Sequence, residues 1–533
     1  MEGEHPRCRF IARYTWLKEK LGIEEERLPQ ADCRQYREFI STISPRFSAL
    51  VFPTSYMNRP ASMFGHTFIR IDGGYESKLL SYAVNYTAHT GTEGGFLYAL
   101  KGVFGHFKGY YLLLPYYEKV KEYTDMDHRD MWEYNLNLTE EELLRMLRHI
   151  WELKEIYSYY YFFDENCSYN ILFLLEAGRP SVNLTDPSTL WVIPLDTVRA
   201  VIENGMVSSV DYRPSKATII RHIASLLPAE DIETSLEITD EKRSPESLLK
   251  DENLKAKAEV LDLSAEMLEL RYLKKKLSEE EYTKRFHRAL GVRSLLKEGS
   301  EHYKVSQPIM PHKGHGSARL SIGAGIKNKR FFGELKLRPA YHDLLDPSHG
   351  YPEGSQIVFA DIRARYYDED DSYKLESIDF VNIVSISPKS RLFKPVSWKV
   401  KTGLLRKPHS DGKDHLVYYI NGGYGIASEG RLPGLYYAFL EAEGNLGGKL
   451  TEDHSLGLGI SAGTLEKITG IWKLHIMLKA MRYILGDEHE ELGGTVAQNL
   501  RLSNSMSLTL ELSKIKAYGR YTNTAIAGLN LYF

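Results

Sequence analysis

Two residues of this chain have the type and setting for covalent catalysis, Cys167 and His66. Cys167 lies in Asp164-Glu165-Asn166-Cys167-Ser168-Tyr169-Asn170, between an aromatic run at 157–163 and an apolar run at 171–175. Polar residues crowd just before it, and a helix-like pattern continues to Gly178, a natural helix C-cap. Cys167 is therefore expected within one turn of a helix N-terminus. There, unpaired backbone N–H groups and the helix dipole stabilise a thiolate and lower the thiol pKa. A thiolate nucleophile needs a base. His66 follows Gly65 and precedes a strand-like run at 67–71, so its imidazole is expected at a strand start, facing a cleft. The bland alternatives are a cysteine packed under an aromatic cluster and a hydrogen-bonded structural histidine.

A third residue should orient the imidazole, as in Cys-His-Asn sites. Asn85, in Ser81-Tyr82-Ala83-Val84-Asn85-Tyr86, is the candidate, on a strand beside His66. Ser62, Arg70, Tyr82 and Asn166 are candidate substrate-binding neighbours. Backbone N–H groups at the start of the Cys167 helix are the expected oxyanion donors.

The elements that hold these residues follow from the chain's periodicity. Helices are expected over 12–21 and 32–43, making residues 1–45 a small helical module. Short β-type runs at 47–52, 67–71 and 79–83 follow, then a Gly-rich aromatic stretch at 91–109 and an apolar run at 110–115. A helix over 139–153 is signalled by Thr139 as N-cap and Glu142 completing a capping box. Residues 46–225 thus form one α+β domain. Residues 226–311 shift to Glu, Lys and Leu at helical spacing, with helices at 261–277 and 279–290, and read as a connector with a solvated charged face.

Residues 312–533 alternate apolar with polar or small residues in about twelve segments of about ten residues, the pattern of an outer-membrane β-barrel. Met506, Leu508, Leu510 and Leu512 share one face; Leu456, Leu458 and Ile460 face away from Gly457, Gly459 and Ser461. The 36 tyrosines suit aromatic girdles, and the chain ends in Phe533 after an alternating strand. A soluble β-sandwich or lipocalin-like barrel is the competing fold. No run approaches the ~20 apolar residues of a transmembrane helix. No signal-peptide pattern follows Met1, so the exported chain is expected to begin near its mature end, or its start lies upstream.

Net charge is −3 and no basic stripe is interleaved with aromatics, which excludes a nucleic-acid partner. Of three cysteines, Cys8 and Cys33 lie close together and Cys167 stands apart. In an oxidising compartment this implies a Cys8–Cys33 disulfide and a free Cys167; three unrelated thiols in a reducing cytosol is the alternative. His342-Asp343 with His349, and His312 with His315, read as loop histidines rather than a metal site. Asp368–Asp371 lacks the calcium-loop spacing. No cofactor and no metal is expected.

A strand histidine followed much later by Asn-Cys on a helix is the permuted papain-like order, found in lecithin:retinol acyltransferase-like and permuted NlpC-type thiol enzymes. Four motifs carry a more specific resemblance: Pro60-Ala61-Ser62-Met63-Phe64-Gly65-His66-Thr67-Phe68, Pro115-Tyr116-Tyr117-Glu118-Lys119-Val120, Asp130-Met131-Trp132-Glu133-Tyr134 and Tyr161-Phe162-Phe163-Asp164-Glu165-Asn166-Cys167-Ser168-Tyr169. Together, over about residues 46–200, they resemble the Lnb N-terminal periplasmic domain family. The stretch from Cys8 to Trp16 is similar to the small module that accompanies it. The family's namesake is a bacterial lipoprotein N-acyltransferase with a Cys–His site at the periplasmic face, and ends in membrane helices where this chain has a barrel. The resemblance implies Cys167 as acyl-accepting nucleophile and His66 as its base. It implies an outer-membrane acyltransferase with its catalytic domain in the periplasm, a membrane phospholipid as donor and a lipoprotein amine among the acceptors. A cell-wall thiol amidase or peptidase of the same fold, and a non-catalytic assembly or chaperone-like barrel protein, are the alternatives.

Overall fold

The computed structural model describes residues 5–28, 30–55, 57, 63, 65–90, 101–186, 191–250, 254–296, 303–430 and 433–533. Ser62 and residues 91–100 of the Gly-rich stretch lie outside the described residues. The chain divides into two compact units, Met1–Gln307 and Pro308–Phe533.

The first unit is α+β, built on a seven-stranded antiparallel sheet: β1 (Phe47–Pro53), β2 (Phe68–Asp72), β3 (Tyr82–His89), β4 (Phe107–Pro115), β5 (Met131–Leu136), β6 (Ser158–Tyr160) and β7 (Val207–Arg213), ordered β6-β4-β3-β2-β1-β5-β7. β1 is buried at six of its seven positions, on both faces, which is why it reads as a nearly continuous apolar run. One face packs on the helices Glu140–Glu152, Cys167–Gly178 and Pro194–Glu203. The other packs Val51, Phe68, Ala83 and Met131 against Tyr116 and Tyr123. Thr139 and Glu142 exchange the two capping-box hydrogen bonds, at 2.8 and 3.3 Å.

The expected strand at 79–83 is displaced. Lys78–Leu80 form a single helical turn with Leu79 and Leu80 exposed, and β3 begins at Tyr82. Two adjacent exposed leucines cannot both face a core from a strand, so the apolar run there marks a turn.

Cys8 and Cys33 are disulfide-bonded, joining the N-terminal helices Pro6–Arg9 and Ile11–Leu21 to Arg34–Ile43. Cross-linking residues separated by 25 positions stabilises by about 3 kcal/mol through the unfolded state. The Trp151 indole N–H donates to Cys8 O at 2.9 Å and Arg9 donates to Glu152 O at 2.7 Å, so this module rides on the Glu140–Glu152 helix. Helices Leu254–Leu273 and Glu279–Leu295 pack as the expected hairpin, the first beginning seven residues earlier than its sequence pattern. Lys216 clamps the first of them through Glu266 and Glu269.

The second unit is a closed antiparallel barrel of twelve staves. They are β8 (Arg319–Lys327), β9 (Arg330–Arg338) continued after Pro339 by β10 (Ala340–His342), β11 (Ser355–Tyr367), β12 (Ser372–Ser385), β13 (Ser397–Pro408), β14 (Asp414–Glu429), β15 (Gly434–Leu446), β16 (His454–Lys467), β17 (Trp472–Gly486), β18 (His489–Arg501), β19 (Met506–Ala517) and β20 (Arg520–Tyr532). β9 and β10 both pair with β11, and β8 closes the ring by pairing with β9 and β20. Along β15, Leu435, Tyr437, Phe439, Glu441, Glu443 and Asn445 point inward and are buried, while Leu440 is 72% exposed outside. Leu458, Ile460, Leu478 and Leu492 continue this apolar exterior. A surface so apolar is a lipid-facing one.

Candidate functional site

The Cys167–Gly178 helix starts where its sequence demands. Asn166 is the N-cap in extended conformation, and its Oδ1 accepts from Ser168 N–H at 2.9 Å and Tyr169 N–H at 3.2 Å. Its amide nitrogen donates to Val192 O at 2.7 Å and Phe162 O at 3.2 Å. Every polar atom of Asn166 is thus spent on fixing the helix start. It holds the first turn of the helix that carries Cys167.

Cys167, the free thiol among the described residues, is buried beside His66. Burial pushes its pKa up, but the imidazolium charge of His66 and hydrogen bonds from His66, Tyr160 and Ser168 outweigh it and bring the thiol from 9.0 to about 7. His66 Nε2 lies 2.6 Å from Asn85 Oδ1, which leaves Nδ1 for the thiol. In that tautomer Nε2 carries the proton and donates to the amide oxygen. Cys167, His66 and Asn85 are therefore brought together at one place. The His66 ring packs between Phe68 and Tyr123, with centroids 6.2 and 6.0 Å away.

The other sequence candidates lie elsewhere. Arg70 is fully buried within the sheet, bonded to Asp72 at 2.6 and 2.9 Å and paired with Glu133, which also accepts from Tyr116 at 2.6 Å and Arg213 at 3.1 Å. It braces β2 to β5. Tyr82 is three residues from Asn85 on the same strand, hence on the opposite face of the sheet.

The backbone N–H groups at the start of the Cys167–Gly178 helix already have partners. Asn166 occupies the Ser168 and Tyr169 N–H groups, and Cys167 N–H donates to the Tyr160 hydroxyl at 3.2 Å. Tyr160, on β6, is the polar group at the helix mouth, held by stacking on Tyr86 with centroids 5.9 Å apart. It lies within the aromatic run at 157–163, where nothing local sets it apart from its neighbours. Arg129 is a second residue with no signal in the sequence. It is buried, donates to Thr54 O at 2.6 Å and Pro53 O at 2.8 Å, and lies over the Tyr123 ring at 4.8 Å. Burial lowers its pKa; Tyr123 and Cys167 are among the groups that oppose this.

Residues 35–204, which contain the whole of this arrangement, match the family model of the Lnb N-terminal periplasmic domain. The chain carries an Lnb N-terminal periplasmic domain. Residues 210–305 and 308–532 match two further models, each described as a domain of unknown function (DUF7842 and DUF7840). No match is found among curated proteins. Similar solved structures include the KdgM porin (10% identity, 40% of this chain and 99% of that one, TM-score 0.24). The COG4313 outer membrane channel of Pseudomonas putida F1 is similar at 10% identity (44% and 100% covered, TM-score 0.26). Omp33 of Acinetobacter baumannii is similar at 12% identity (42% and 100% covered, TM-score 0.21). The barrel stands on its own strand pairing and lipid-facing exterior. With the Lnb domain periplasmic and the barrel closed and apolar outside, this is an outer-membrane protein with a periplasmic domain.

One buried group in the barrel has the residue types of a metal site: His315, His342 and Asp346. The two histidines are not solvent-facing loop residues, as their turn-rich surroundings suggest. They lie 3.0 Å apart and stack with Tyr351. Asp346 already accepts from Arg319 at 2.7 Å, Tyr532 at 2.9 Å, the Asp343 N–H at 2.9 Å and Arg338. Two guanidinium charges on one carboxylate repel a cation. This cluster is an internal tie, and its place in the barrel is taken up below.

Proposed function

We propose that this protein is an outer-membrane-anchored cysteine acyltransferase working through a thioester on Cys167. The observation that carries the proposal is the Cys167–His66–Asn85 arrangement with its depressed thiol pKa, inside a domain of the Lnb type. The thiolate attacks an ester carbonyl of a phospholipid. His66, protonated, gives its proton to the departing lysophospholipid alkoxide, leaving an acyl thioester. An amine, in the first instance the N-terminus of a lipoprotein, then attacks the thioester with His66 taking its proton, and the thiolate is restored. Water in place of the amine gives a hydrolase. Proton transfer by such a positioned imidazole contributes ~10²–10⁴ in rate.

Two features favour an acyl substrate over a cell-wall peptide. Asn85 pairs in register with Leu112, which is 40% exposed, and Tyr110 and Tyr159 continue the same face of the sheet. The surface leading from the imidazole's partner therefore carries Leu112, Tyr110 and Tyr159, interrupted by Thr87 and Lys108. The lipid-embedded barrel also confines the domain to the membrane, which raises the effective concentration of a lipid donor.

The experiment is a product analysis. Full-length protein in proteoliposomes containing an acyl-labelled phospholipid is given an amine-terminated lipopeptide or, separately, peptidoglycan fragments. Label moving to the lipopeptide, or to free fatty acid, with Cys167→Ser inactive is the expected result. Cleavage of peptidoglycan fragments with no acyl release would make it a cell-wall hydrolase. No product with either substrate would point to a non-catalytic role.

A further inference from the structure

We infer that the barrel is a sealed anchor rather than a pore, and that Asp346 latches the segment that seals it. An eight-stranded barrel is filled by its own side chains, and the interior widens with strand number. Twelve staves therefore leave space that something must fill or water will.

The segment from Asp343 to Gly354, between β10 and β11, fills it. Leu344 packs in a buried cluster with Leu435, Tyr437 and Phe439 of β15 and Leu465 of β16. Two residues on, Asp346 bonds Arg319 of β8 and Tyr532 of β20. β8 and β15 are six staves apart in either direction around the ring, which makes them diametrically opposed. A segment that touches both crosses the lumen. Lys473 of β17 fixes the crossing by donating to Leu344 O at 2.6 Å and Asp346 O at 3.0 Å. Asp346 is fully buried, and Arg338 shares it with Arg319.

A second crossing lies further along β15. Lys407 of β13 bonds Glu443 of β15 at 2.6 Å, Tyr483 of β17 at 2.8 Å and Glu491 of β18 at 3.1 Å. Lys479 reaches the other oxygen of Glu443 at 2.7 Å. β13 and β18 are five staves apart, so this network also spans the interior. Beside Arg319, Glu334, Lys336, Arg363 and Glu511 lies a polar cavity of about 80 Å³, room for a few waters.

Planar-bilayer recording on the full-length protein tests this. Wild type should insert and give no stepwise conductance. Replacing residues 344–353 by a short Gly-Ser link, in protein shown folded by heat-modifiable gel mobility, should produce stepwise openings. Asp346→Asn, which keeps the carboxylate shape while weakening both arginine pairs, should produce intermittent ones. Stepwise conductance in wild type would overturn the sealed anchor, and this arm needs no variant to fold. Silence in a folded 344–353 replacement would overturn that segment as the seal.

Discussion

Thr67 and Ser168, the residues that follow His66 and Cys167, hydrogen-bond to each other at 2.8 Å across the boundary between sheet and helix. Both are buried. The bond fixes β2 to the first turn of the Cys167–Gly178 helix one residue beyond His66 and Cys167, so the two side chains cannot drift apart independently. Thr67→Val leaves Ser168 without its donor in a dry site, a loss of about 1–3 kcal/mol. The expected result is a lower Tm together with slower alkylation of Cys167 at pH 7. Unchanged alkylation in the folded variant would show that the bond has no part in setting the dyad.

The thiol of about 7 has a pH signature. Alkylation by a small neutral reagent should rise through pH 7 and level off above it. In His66→Ala the lowering influence of the imidazolium is lost while burial remains, so the midpoint should move to or beyond the ordinary thiol value of about 8.5. The check is the rate of iodoacetamide labelling across pH 5 to 10, with Cys167→Ser as blank.

Tyr160 should separate chemistry from reactivity. Tyr160→Phe removes the hydroxyl at the helix mouth but keeps the ring stacked on Tyr86. If that hydroxyl stabilises the tetrahedral oxyanion, turnover should fall ~10²–10³-fold, the usual loss for one oxyanion donor. Alkylation of Cys167, which forms no oxyanion, should fall far less.

Asn166 and Arg70 should behave as structural residues. Asn166→Ala removes an N-cap, at about 1–2 kcal/mol, and leaves the carbonyls of Phe162 and Val192 without their donor. Arg70→Ala leaves Glu133 buried with half its partners, a loss of about 3–5 kcal/mol. Both are measured by denaturant midpoint, and for Arg70 the pH profile of Cys167 alkylation should stay in place at temperatures where the variant is folded.

Local signals in the sequence carried the helix starts, because capping is written within four residues: Thr139 with Glu142, and Asn166 with the helix it opens. The barrel was legible for the same reason, since an inside-outside alternation repeats on every strand. Asn85 follows from the logic of a third residue near a strand histidine, and its side-chain oxygen lies 2.6 Å from His66 Nε2. Arg70 reads as a substrate-binding candidate because it is a charged residue beside a candidate base, while Glu133, the carboxylate it pairs with across the sheet, is far away in sequence. Tyr160 was hidden among like aromatics. The tie at Asp346 was out of reach altogether, since Arg319, Arg338, Lys473 and Tyr532 converge on it or its carbonyl only when the ring closes.

Intact mass spectrometry tests the thioester most directly. Wild type, Cys167→Ser and His66→Ala, purified full-length, would be incubated with phosphatidylethanolamine vesicles and quenched in acid. Acyl transfer through Cys167 predicts a fatty-acyl mass on wild type that hydroxylamine removes, none on Cys167→Ser and little on His66→Ala. A wild type without adduct, its Cys167 alkylating no faster than that of His66→Ala, would contradict the nucleophilic role of the pair.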